Sequence, residues 1–155
     1  MFDAGLIRKI LKNLVYNWKI AFVLITILSL IARVSTCDSN KEIVLPKAEE
    51  VKEIEIMENT SEKSLKIEHQ DEISGIIAEI KENTNDNGKE SVNDQPTNIK
   101  DYIIVKFHHK NTERSPSVVY LYKDKNSSYV EQPYSGIWRL GEETFDRIST
   151  NLTKQ

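Results

Sequence analysis

Cysteine is almost absent. Cys37 is the single thiol in 155 residues, so no disulfide can form within the chain and its stability must come from packing alone. Glycine is sparse: the five glycines are scattered, and none builds a Gly-rich phosphate loop. No serine sits in a nucleophile-elbow motif and no HExxH occurs, which removes the two local signatures that would announce a serine hydrolase or a zinc protease. Positive charge is short where it would matter for nucleic acid. Residues 1–37 hold five basic side chains (Arg8, Lys9, Lys12, Lys19, Arg33) against Asp3, a balance of +4; the whole chain is −3, so the remainder is −7. An acidic body is poorly suited to a polyanion whose affinity comes from neutralised phosphates, and no nucleic-acid partner is expected.

What the sequence does have begins with one apolar run. "IAFVLITILSLIA", Ile20 to Ala32, is thirteen residues without a charge, preceded by basic residues and followed by "RVSTCDSN". Its length and flanks are those of a signal-peptide hydrophobic region, shorter than the ~20 residues of a membrane span. The basic flank holds the amino end in the cytoplasm, so everything after Arg33 is expected outside. "VSTC" is similar to a bacterial lipobox, which makes Cys37 the expected lipidation site and residues 1–37 the leader. An uncleaved amino-terminal anchor, ordinary secretion and a buried core helix are the alternatives. In the anchor reading Leu6, Ile7, Ile10, Leu11, Leu14, Val15 and Trp18 recur at helical spacing and can lie along the inner leaflet as a membrane-targeting helix.

Residues 38–50, "DSNKEIVLPKAEE", are polar, contain Pro46 and keep no sustained period; they are expected to be a tether, with the exported domain occupying 51–155. "VKEIEIM" and "SLKIE" alternate apolar and charged residues around a turn-like "ENTSEK", a hairpin pattern, with helical spacing of Val51 and Ile54 as the rival for its first half. "DEISGIIAEIKEN" puts Ile73, Ile76, Ile77 and Ile80 on one helical face behind Asp71. The polar "NTNDNGKESVNDQPTN", Asn83 to Asn98, favours turns over any regular ladder and reads as a long loop that is mobile or functional. "YIIVKFHH", "SVVYLYK", "SYVEQ" and "GIWRL" follow as strands, and "EETFDRISTNL" spaces Phe145, Ile148 and Leu152 on one helical face. The order predicts an α+β fold: a small antiparallel sheet with helices packed on one side.

Candidate chemistry is thin. His108 and His109 are adjacent, so on a strand they point to opposite faces and cannot share a metal; no metal and no cofactor is expected. "VEQPYSGIW" concentrates aromatics around a Pro-Gly turn. Tyr134, Trp138, Glu131 and Gln132, with Tyr120, Tyr122 and Tyr129 expected on neighbouring strands and with Asn93 and Asp94 from the Ser91–Pro96 loop, are therefore the candidate binding residues. The alternative is that the same rings only cap one edge of the core. The expected function is a non-enzymatic, membrane-tethered interaction module for an envelope protein, a peptide or a cell-wall component. A small envelope hydrolase or metal-dependent enzyme using His108 or His109 with a carboxylate is the rival.

The landmarks "LPKAEEVKEIEI", "ESVNDQP", "YIIVKF", "YLYKDKNSSYVEQPYSGIW" and "EETFDRI", in that order, resemble the bacterial domain of unknown function 5301, found in exported, often lipoprotein-like proteins of Gram-positive bacteria. The resemblance runs from Ile43 to Ile148. It implies an extracytoplasmic α+β domain with no known activity, and it carries no catalytic residue over.

Overall fold

The computed structural model describes residues 41–153, Glu62 excepted. The apolar run Ile20–Ala32, the helix-spaced segment before it and Cys37 lie outside the described residues. Seven strands form one antiparallel sheet: β1 (Val51–Glu58), β2 (Ser64–Ile67), β3 (Thr84–Lys89), β4 (Ile103–His109), β5 (Ser117–Asp124), β6 (Ser127–Gln132) and β7 (Gly136–Leu140). Two helices complete the α+β fold: α1 (Gln70–Glu82) between β2 and β3, and α2 (Glu142–Thr153) after β7. Spatial order is β2-β1-β4-β5-β6-β7-β3.

Period-2 alternation sorts the sheet into two faces. Ile54, Ile56, Val105, Phe107, Val119, Leu121, Val130 and Trp138 are in register across β1, β4, β5, β6 and β7 and are all buried. Against them lie Ile73, Ile77 and Ile80 from α1 and Ile148 and Leu152 from α2, in one continuous core. Helix α1 stops where Asn83 folds back: its backbone N–H and its side-chain Nδ2 both donate to the one carbonyl Glu79 O, at 3.1 and 2.9 Å. Arg147 Nε donates to Glu79 Oε1 at 2.8 Å, tying α2 to α1.

Two expectations need correction. The segment read as turn-only contains β3, which pairs with β7 through Thr84–Leu140, Asn85–Arg139 and Asp86–Trp138. It is an edge strand, so it needs one ladder and no apolar alternation, and a bulge interrupts it between Asp86 and Lys89, which pairs with Ile137. There Gly88 sits at φ 69 and Asp86 Oδ1 accepts from its N–H at 2.8 Å, a side-chain turn that glycine makes strain-free. Nor is the stretch before Val51 all tether. Ile43 and Leu45 are buried in the core, and a 3₁₀ turn, Ala48–Glu50, leads into β1. The Lys41 N–H donates to Asp86 Oδ2 at 2.9 Å, and Trp138 Nε1 donates to Lys41 O. The folded unit therefore starts ten residues before the expected boundary at 51, at Lys41 or before it.

Candidate functional site

The sheet face away from the helices carries Tyr120, Tyr122, Tyr129, Glu131 and Ile137 by the same alternation. The chain between β3 and β4 folds over it, with Ser91 and Pro96 buried. Glu131, only 4% exposed, is satisfied on both oxygens: Ser91 Oγ donates to Oε1 at 2.6 Å and Tyr122 OH to Oε2 at 3.2 Å. Burial, reinforced by the adjacent Glu131 charge, pushes the Tyr122 hydroxyl far above the usual phenol range, so it remains a donor. Burial raises Tyr120 as well, with Tyr102, Asp94 and Glu131 adding to it.

Rings pave this face. Tyr122 stacks on Tyr129 with centroids 5.7 Å apart and planes at 30°, and Tyr102 meets Tyr120 edge-on at 5.5 Å. Lys89 Nζ stands 5.9 Å over the Tyr129 ring, within cation–π range. Between the covering loop and β6 runs a cleft of about 330 Å³ lined by Lys89, Ser91, Asn93, Tyr122, Tyr129 and Glu131 among others.

The candidate residues Glu131, Asn93, Tyr134, Asp94, Gln132 and Trp138 separate into four places. Glu131 and Asn93 line the cleft. Tyr134 and Asp94 meet at the turn between β6 and β7, the Tyr134 hydroxyl donating to Asp94 Oδ1 at 2.8 Å; that bond raises the Tyr134 hydroxyl from its usual range. Gln132 points the other way and donates to Val44 O at 2.7 Å. Trp138 is not a surface residue: it is 2% exposed and belongs to the core. The parity of "GIWRL" carries that outcome, since Trp138 shares its side of β7 with Leu140 and opposes Val130. Tyr122 and Tyr129, expected beside the turn on neighbouring strands, and Ser91 of the Ser91–Pro96 loop do meet at the cleft, which Lys89, not singled out in the sequence, joins. For the tyrosines the signal was present, because Tyr129 and Glu131 alternate along one strand; the loop's fold over them has no local signature.

His108 and His109 each have a partner, on opposite faces of β4. His108 Nε2 lies 3.2 Å from Glu55 Oε2. Burial would raise the Glu55 carboxyl, but the His108 hydrogen bond and the charges of Lys106 and His108 outweigh it and hold it below the usual range. His109, buried on the core side, has Nε2 3.0 Å from Ser117 Oγ. The sheet separates the His109–Ser117 pair from Glu55, so the three do not assemble a serine–histidine–carboxylate relay. Among the described residues no group of three or more His, Cys, Asp or Glu is placed to hold a metal. Burial, with the Arg114 charge, holds the His109 ring below the usual imidazole range. The unfolded chain therefore takes up that proton first as pH falls. The His109 contribution to stability is complete above the unfolded-state pKa of about 6.5 and declines below it. Urea titrations at pH 7.5 and pH 5 are expected to show a smaller acid-side loss for His109→Gln than for the natural chain; equal losses would exclude His109 as a source.

Comparison with known proteins adds the family. The model of the DUF5301 family, described as "Domain of unknown function (DUF5300)", matches residues 39–139. The chain belongs to this family. The matched DUF5301 region begins just before Lys41, in agreement with the buried Ile43 and Leu45, and ends within β7. A solved structure, the NMR structure of a protein from Ruminococcus gnavus, is similar with a TM-score of 0.55 and 25% identity, covering 66% of this chain and 98% of that one. No curated protein matches the chain.

Proposed function

We propose that this DUF5301 protein is a membrane-tethered extracytoplasmic interaction module, non-enzymatic, that holds a basic extended segment of another envelope protein in the cleft beside Tyr129. The observation that carries this reading is the cleft itself: a tyrosine-paved sheet face left uncovered by the helices, with Glu90, Asp124 and Glu131 in its lining against the single cation Lys89. Lys89 over Tyr129 supports a cation at that ring; a lysine or arginine of a partner would take the same place, drawn by the −7 body. Support for the tether is the leader's basic flank, apolar run and "VSTC".

Short peptides bearing lysine beside an aromatic residue test this against the same peptides with glutamate for lysine. Fluorescence titration should favour the lysine series at least tenfold. Tyr129→Ala should weaken that binding about threefold to thirtyfold, the range of one cation–π contact. Equal affinity for both series, or no effect of Tyr129→Ala, would rule the reading out.

A further inference from the structure

Among the described residues three large apolar side chains are strongly exposed: Val44 at 72%, Val92 at 69% and Tyr134 at 68%. Scattered singly they would be unremarked. They are not scattered, because hydrogen bonds tie all three segments to the single turn Gln132–Ser135. Gln132 Nε2 donates to Val44 O at 2.7 Å, Lys41 Nζ donates to Ser135 O, and Tyr134 OH donates to Asp94, two residues from Val92. Tyr134 is held outward at φ 57, a left-handed conformation that a bulky aromatic residue adopts rarely. An exposed aromatic, two exposed valines and a lysine on segments tied to one turn are the composition of an interfacial membrane contact, in which the ring sits at headgroup level and the ammonium meets phosphate.

The chain outside the described residues supplies the occupant. Lys41, where the description starts, is part of this same corner through its bond to Ser135. Eight residues separate Lys41 from the end of the apolar run at Ala32, and three separate it from Cys37. Fully extended, these span at most about 32 Å and about 14 Å. We infer that the Val44, Val92 and Tyr134 corner rests on the lipid surface of the membrane that tethers the chain, which turns the tyrosine cleft into a fixed orientation above it. This rests on the tether reading above.

A benzophenone amino acid placed in the full chain at Val44, Val92 or Tyr134, and as controls at Thr60 and Lys125, reads the contact directly. Both controls lie in turns at the opposite end of the sheet, after β1 and after β5. After illumination of membranes from expressing cells, lipid adducts at the three corner positions should exceed those at the controls at least tenfold. Val44→Asp combined with Val92→Asp should reduce the Tyr134 adduct without moving the chain out of the membrane fraction. Membrane-bound chain with adducts equal at all five positions, or with protein adducts at the corner in place of lipid, overturns the docking and leaves the tether standing. Chain recovered in the soluble fraction overturns both.

Discussion

Trp138→Ala is expected to cost about 3–5 kcal/mol of folding stability, the range for deleting a buried aromatic ring, while Tyr134→Ala stays within about 0.5 kcal/mol, as exposed positions do. The two aromatics sit four residues apart in one turn-and-strand segment, yet one is 2% and the other 68% exposed. Trp138 fills the space between Val130 on β6 and Asp86 on β3. Its ring also fixes the neighbouring backbone: a Cβ added at Gly136 would meet the indole at 3.1 Å, so Gly136→Ala should be destabilising where an open position would tolerate it. Trp138 Nε1 further donates to Lys41 O, so truncation also orphans a carbonyl at the start of the domain. Urea unfolding followed by circular dichroism measures each difference. A Trp138→Ala protein as stable as the natural chain would mean the ring is dispensable to the core and return it to the surface-recognition role.

The difference between those two aromatics also marks how far the sequence can be read. Both helices were legible because their apolar residues repeat at 3.6: Ile73, Ile77 and Ile80 in α1, and Ile148 and Leu152 in α2, are buried as the spacing requires. The faces of β4 were legible for the corresponding reason, with Ile103, Val105 and Phe107 inward. Strand β3 was not, because "TNDNGK" has no apolar alternation; its pairing is decided by β7 and by the Lys41–Asp86 bond, neither of which is local. The cleft was legible only in part. Glu131 and the tyrosines share a strand-face parity, but a buried carboxylate between a serine and a tyrosine depends on where the long loop lands. Tertiary contacts also pull Ile43 and Leu45 out of what reads locally as a tether.

That last reassignment has a large expected effect on where the domain can be cut. A chain beginning at Val51 lacks Ile43 and Leu45, both buried, and burying each such side chain is worth about 1.5–3 kcal/mol. About 3–6 kcal/mol is lost from the pair, against a total of about 5–15 kcal/mol for a typical domain. The loss is compounded on the polar side. Trp138 Nε1, Gln132 Nε2 and Asp86 Oδ2 each lose a partner from the missing segment, and the inner ones cannot all be re-satisfied by water. A chain beginning at Lys41 keeps every one of these contacts. Side by side, the Lys41 chain should unfold cooperatively, whereas the Val51 chain should be unfolded or only marginally folded at 25 °C. The pattern across single substitutions separates packing from mere length: in the Lys41 chain, Ile43→Ser and Leu45→Ser should each reproduce a large share of the deficit, and Val44→Ser, whose side chain is 72% exposed, should not. Equal stability of the Lys41 and Val51 chains would show that the segment only lies against the core without holding it, and would restore the domain start to Val51.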